Sequence, residues 1–420
     1  MKLAVIGGGS TYTPELVDGI ARLTGDIKIT ELVLVDPDAS RLSVVGPFSA
    51  RIMARYGHPA TVSWTADLDS AVEGAGAVLL QLRVGGQATR HRDETWPLEF
   101  CCIGQETTGA GGFAKALRTV PVVLDVAERV RQLAAPNAWI IDFTNPVGIV
   151  TRALLDAGHR AIGLCNVAIG YQRMAATILG VAPEAVDLDH VGLNHLTWER
   201  QVLVDGADKL PGLIAEHGEE IALHTGLPLA VTTTYGAVPS YYLRYYWAHD
   251  AVVEEERGRE TRAQAVAEIE RQLLAMYADP ALDTKPELLT HRGGAFYSEA
   301  AVALLASLVT DARDRQVVNV RNHGTLPFLA DEAVIEVSAI VGADGAVPVD
   351  VAPVDPLMSG LIAHASAYEE LAVDAARRGG RDRVAKALLA HPLVGQYDLA
   401  QKLTDRLLAE NAAFLPWANQ

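Results

Sequence analysis

The sequence predicts an α/β protein in which a doubly wound parallel sheet, with helices on both faces, is followed by an α+β region. Three observations carry this. Over the first 165 residues, short apolar runs alternate with segments of helical periodicity. A glycine-rich turn follows the first apolar run and leads into a helix start. Beyond that point, strand-like stretches are separated by long helices and the regular alternation ceases.

Strands are expected in the first part at Lys2–Ile6, Glu31–Asp36, Ala77–Leu82, Trp139–Phe143 and Ala161–Leu164. Between the first two, Leu16, Val17, Ile20 and Leu23 recur at helical spacing, with Thr13 as N-cap and Pro14 at the first helical position. A second helix is expected over Ala116–Ala134. Later, Val186–Val191, Leu196–Val204, Val317–Val320 and Val334–Val341 look like strands of a mixed or antiparallel sheet. Helices at Thr261–Tyr277, Glu299–Ala312 and Leu361–Ala376 separate or follow them.

Composition narrows the partners. At 420 residues and 50% hydrophobic the chain can bury a large core, yet no run approaches the roughly 18 apolar residues of a membrane span. Three cysteines cannot build a disulfide framework, so a reducing, cytoplasmic compartment is expected. A net charge of −17 argues against nucleic acid or an anionic membrane as partner. It also means that an anionic substrate would need specific arginines to make a locally basic pocket.

Gly7-Gly8-Gly9-Ser10-Thr11-Tyr12 follows the first strand and precedes the Thr13–Pro14 helix start. Glycines there let the backbone approach a pyrophosphate, whose charge is favoured by helix N-terminal amides. Gly7 and Gly9 fit the G-x-G-x-x-G pattern, with Ser10 and Thr11 beside them, but Tyr12 stands at the third glycine position. Asp36 ends the second strand. A carboxylate there accepts hydrogen bonds from an adenosine ribose and repels a 2′-phosphate, which favours NAD+ over NADP+. A plain glycine turn and a strand-end turn at Asp36-Pro37-Asp38 are the bland alternatives.

Seven segments in order resemble glycoside hydrolase family 4 over nearly the whole chain. They are Gly7–Pro14, Arg83–Arg90, Ile103–Gly112, Asp142–Pro146, Leu164–Gly170, Gly192–His195 and Tyr242–Tyr246. The Cys165-Asn166-Val167 form is similar to the 6-phospho-β-glucosidase branch. Ala168 and Ala110 stand where the family commonly has proline, and Asn319–Leu326 matches only loosely; neither alanine removes a reactive group.

The resemblance implies a Rossmann-type NAD-binding domain over residues 1–165. Residues 166–420 would form an α+β domain, lactate/malate dehydrogenase-like, carrying the substrate, metal and oligomer contacts. It implies NAD+ and a divalent metal, Mn2+ first, on Cys165 and His195. Thiolate and imidazole suit such ions, although spacing alone reads as a buried cysteine and a satisfied histidine. The implied reaction departs from two-carboxylate hydrolysis. The sugar is oxidised at C3 by NAD+, the acidified C2 proton is removed, the aglycone is eliminated from C1, water adds, and the hydride returns.

The resemblance also assigns roles. Tyr242 is the implied C2 base; a free tyrosine has a pKa of about 10, so it needs a nearby positive charge to work near neutrality. Glu106 is expected to accept the Tyr242 hydrogen bond. Tyr241 is the alternative base, and the Tyr241–Tyr246 stretch could instead be the aromatic wall of a core helix. Arg90, Arg262 and Asn145 are implied substrate contacts; without the resemblance Arg262 reads as a solvated charge on a Glu254–Glu270 helix face, and Asn145 as a turn residue before proline. Asn166 stands where α-specific relatives are expected to carry an acid, so aryl aglycones that need little acid assistance are favoured. The expected partners are a phosphorylated disaccharide or an aryl β-glucoside 6-phosphate, in a homodimer or homotetramer. The rivals are a family 4 enzyme for a galacto-configured or unphosphorylated sugar, and an NAD-dependent 2-hydroxy acid dehydrogenase.

Overall fold

The computed structural model describes residues 1–22, 27–294 and 296–419. Six strands lie parallel: β1 (Lys2–Ile6), β2 (Glu31–Val35), β3 (Thr61–Thr65), β4 (Ala75–Leu80), β5 (Trp139–Asp142) and β6 (Ala161–Gly163). Their order is β3-β2-β1-β4-β5-β6. The order reverses between β1 and β4, and ligands of such sheets bind in the crevice at the carboxyl ends of the strands flanking that point. β1, β2 and β4 are buried almost throughout because helices cover both faces, hence their unbroken apolar runs. β3 was not expected from the sequence. It is the edge strand, with Thr61, Ser63 and Trp64 exposed, so no apolar run marks it.

The first helix is Thr13–Arg22, with Leu16, Val17 and Ile20 buried; Leu23 lies outside the described residues. The helix expected from Ala116 begins earlier, at Gly109, and runs to Leu133. Its first turns were hidden because glycine is a poor helix former. The glycines are needed for close approach: a Cβ on Gly111 would lie 2.3 Å from the Asp93 carbonyl oxygen, and one on Gly112 2.5 Å from the Thr107 carbonyl carbon. Phe113 of this helix meets Tyr368 of the helix Pro356–Arg378 edge-on, with ring centroids 5.9 Å apart.

The later strands are antiparallel: β7 (Val186–Leu193), β8 (Leu196–Val204), β9 (Ala207–Asp208), β10 (Val238–Pro239), β11 (Asp314–Arg321), β12 (Val334–Gly342) and β13 (Gly345–Pro348). They continue the first sheet. β11 pairs with β6 at Asn319 opposite Gly163, giving one 13-stranded sheet. Glu254–Glu270 is not one helix: His249–Glu256 ends, and Arg262 opens the helix Arg262–Tyr277 behind a Thr261/Gln264 capping box. Among the described residues no helix is long and apolar enough to cross a membrane.

Candidate active site

The glycine turn after β1 is packed so closely that its side chains had to be lost. A Cβ on Gly7, whose φ is +86°, would lie 2.8 Å from the Gln81 carbonyl oxygen; on Gly8, 2.7 Å from Leu34 Cβ; on Gly9, 2.9 Å from Asp36 Cγ. Gly8, absent from the sequence-based set, is therefore as constrained as its neighbours. Gly9 N donates to Asp36 Oδ2 at 3.1 Å and Asp38 N to Oδ1 at 2.9 Å, which fixes the Asp36 carboxylate beside the loop. Ser10 and Thr11 accept from one half-buried guanidinium: Arg292 Nε reaches Thr11 Oγ1 at 2.7 Å and Nη2 reaches Ser10 Oγ at 3.2 Å. Arg41 Nε donates to Gly9 O at 2.8 Å. Tyr12 has a reason to replace the third glycine. Its hydroxyl donates to Gly294 O at 2.8 Å and accepts from Ser298 N at 2.9 Å, tying the turn to the start of the helix Tyr297–Thr310.

Glu106 lies just before the helix Gly109–Leu133, whose Lys115 folds back onto it at 2.6 Å. Arg83 also pairs with it, and Arg90 Nε lies 3.0 Å away while holding Glu94 at 2.7 Å. Burial would raise the Glu106 carboxyl, but Arg83, Lys115 and Arg90 hold it well below its ordinary range. This corrects one expectation. Among the described residues Glu106 makes no hydrogen bond with Tyr242, because three cations take its oxygens. Burial, then Arg83, pushes the Lys115 ammonium down to about 7.

Glu94 also accepts from Ala263 N at 2.8 Å, which seats the N-terminus of the helix Arg262–Tyr277 beside Arg90. Arg262 is exposed, donates to His291 O at 2.8 Å, and feels the Arg90 charge. Arg41 and Arg292 share Glu270, at 3.4 and 3.0 Å. Thus Arg41, Arg83, Arg90, Arg262 and Arg292 gather around Glu94, Glu106 and Glu270, so arginines outnumber carboxylates in this cluster. That surplus is the local positive field an anion needs in an acidic chain.

Cys165 follows β6, and His195 stands in the two-residue turn between β7 and β8 with φ +66°. A left-handed non-glycine residue costs roughly 1–2 kcal/mol; Ser240 Oγ, donating to His195 O at 3.2 Å, helps hold it. The Tyr242 ring stacks on the imidazole at 3.6 Å and 5°. Tyr241, by contrast, is 40% exposed and bonded to Arg244. Burial drives His195 down to about 4, leaving it neutral, and its Nδ1 is buried without a partner. Burial, then Glu336, pushes the Cys165 thiol up to about 12, although Tyr297 OH (3.9 Å) and Asn194 donate toward the sulfur. A neutral imidazole and a thiol that only a nearby cation can ionise are a donor pair that fits a divalent metal. Burial and then Cys165 raise the Tyr242 phenol well above 10, with Arg90 acting the other way.

Behind this pair runs a buried chain that the sequence reading passed over. His190 sits between Glu199 at 2.7 Å and Glu336 at 3.1 Å, and Glu336 accepts from Asn194 at 3.0 Å and Asn319 at 2.7 Å. The visible signal was Glu336, an acid inside the apolar run Val334–Val341. Asn145 presents a buried Oδ1 with no partner. Asn166 and Tyr242 line a cleft of about 380 Å³.

Comparison with known proteins places this geometry. Residues 2–181 match the model of family 4 glycosyl hydrolases, and residues 190–394 that of the family 4 glycosyl hydrolase C-terminal domain. A probable 6-phospho-β-glucosidase of Bacillus subtilis is 35% identical, over 99% of this chain and 97% of its own. The 6-phospho-β-glucosidase of Thermotoga maritima, solved with manganese, NAD+ and glucose 6-phosphate, superposes with a TM-score of 0.91 at 34% identity, covering 99% of each chain. A malate dehydrogenase from Salinibacter ruber, 17% identical with a TM-score of 0.55 over 90% of this chain and 98% of its own, shares the fold. By these matches, end to end, the chain belongs to glycosyl hydrolase family 4.

Proposed function

We infer that the chain is a 6-phospho-β-glucosidase dependent on NAD+ and a divalent metal, Mn2+ first. The observation that carries the reading is the stacking of Tyr242 on His195 at 3.6 Å, beside Cys165, in a family 4 chain with a closely packed glycine turn. Bound at the glycine turn and on Cys165 and His195, NAD+ supplies a hydride acceptor and the metal a positive charge. The chain's own residues do the rest. Asp36, fixed by Gly9 N and Asp38 N, offers its carboxylate to a ribose. Tyr242 takes the C2 proton; its raised phenol makes a strong base once a positive charge beside it favours phenolate, and Arg90 contributes to that. Glu106 acts through others, holding Arg83, Arg90 and Lys115 in place.

Arg90 and Arg262 bind the substrate with the Asn145 amide, and Arg262, the exposed one of the pair, takes the phosphate. The reaction runs in the cytoplasm, in a homo-oligomer. The test is hydrolysis of p-nitrophenyl β-glucoside 6-phosphate with and without NAD+ and Mn2+, under reducing conditions. Nitrophenol release should need both cofactors and leave no net NADH. Release without NAD+ would sink the reading.

A further inference from the structure

The cleft beside Tyr242 and Asn166 is lined by further polar groups that the proposed reaction does not use. Glu199 is 4% exposed; its Oε1 faces His190 Nδ1 at 2.7 Å, and its Oε2 is buried with no partner. Tyr171 is 2% exposed, and its hydroxyl is also buried with no partner. Both residues line the cleft, together with His224, whose ring lies 6.2 Å from that of Tyr171. Tyr171 is raised by burial and then by Glu199, so the two groups lie within each other's field without forming a hydrogen bond.

Buried polar groups are nearly always bonded, and a pair left open at a pocket wall points to a ligand. The open groups are a carboxylate, which only accepts, and a phenol, which can donate. Hydroxyls of a ligand satisfy both, by donating to Glu199 and by accepting from Tyr171. The volume, about 380 Å³, falls in the ~300–1,000 Å³ range of small-molecule sites. At the rim Tyr241 exposes its ring, a flat apolar surface suited to the C–H face of a sugar.

We propose that this cleft is a leaving-group subsite for a sugar, in which Glu199 and Tyr171 bind hydroxyls of the aglycone. The assignment rests on the 6-phospho-β-glucosidase reading and deepens it. An alkyl or nitrophenyl aglycone has no hydroxyl to donate to Glu199, and a site built to bond a hydroxyl discriminates against analogues that lack one. Asn166, in the same cleft, bears on a separate quantity: how readily a poor leaving group departs, whatever holds it.

The experiment compares kcat/KM for cellobiose 6′-phosphate and p-nitrophenyl β-glucoside 6-phosphate in the wild type, Tyr171→Phe and Glu199→Gln, each with NAD+ and Mn2+. Tyr171→Phe should lower the disaccharide-to-nitrophenyl ratio roughly tenfold, the loss of a hydrogen bond to a charged or polar partner. Glu199→Gln, which keeps the side chain's shape, should move the same ratio in the same direction. Equal falls on both substrates in both variants mean a structural role and overturn the subsite alone. Unchanged ratios do the same. A wild type active on neither substrate overturns the glycosidase reading and the subsite with it.

Discussion

His190 shows what a single buried side chain contributes here. Burial would lower its pKa, but Glu199 and Glu336 raise it to about 10 from an ordinary 6.5. The folded state therefore holds this proton more tightly than the unfolded chain. That stabilisation is complete below pH 6.5 and is lost as pH rises through about 10. Replacing His190 by Leu leaves two buried carboxylates without their cation, and should cost roughly 3–5 kcal/mol at pH 7. Urea unfolding of the wild type from pH 7 to 10, and of both proteins at pH 7, tests this: the wild type should weaken steadily as pH rises, and the variant should already be weaker at pH 7. A wild-type stability that does not fall over this range would mean that His190 is not charged in the fold. His195, five residues on, is driven the other way by burial, with no partner at its Nδ1 among the described residues to offset it. The opposite charge states of the two histidines are not legible in the sequence; the partners that the sheet brings to His190 from β8 and β12 set them apart.

At the scale of elements, the site is built from turns held by rigid neighbours. The turn after β1 is pinned by Arg41 and Arg292, and Asp36 by the Gly9 amide. Gly9→Ala would put a methyl group 2.9 Å from Asp36 Cγ and push the carboxylate off its place. NAD+ should then bind about tenfold more weakly by calorimetry, equivalent to about 1.4 kcal/mol; unchanged affinity would show that Asp36 does not set the nucleotide's position. These turns were legible because they are short, contiguous motifs: Gly7–Thr11, the Cys165-Asn166 pair after β6 and the His195 turn each lie in one stretch. Arg292 and Lys115 were not, since a lone cation reads as solvated until its distant carboxylate is known. The start of the helix Gly109–Leu133 was missed because glycines demanded by packing imitate a loop, and β3 because an exposed edge strand carries no apolar run.

Over the whole molecule, one sheet carries both the glycine turn, at the end of β1, and the β7–β8 turn that holds His195. Its continuity hangs on the pairing of Asn319 with Gly163, between strands too far apart in the chain for local periodicity to reveal. An overall charge of −17 coexists with a cluster of arginines and Lys115 at the site, which supplies a locally positive field for the phosphate of the proposed substrate. The reaction proposed for this architecture ends with no net oxidation, and its signature would lie in the product. In the mechanism proposed above, removal of the C2 proton by Tyr242 and its later return would exchange that hydrogen with solvent. The most direct test is therefore hydrolysis of p-nitrophenyl β-glucoside 6-phosphate in D2O, with the glucose 6-phosphate product read by NMR. Deuterium at C2 is predicted; a product carrying its original hydrogen there would contradict proton abstraction and elimination.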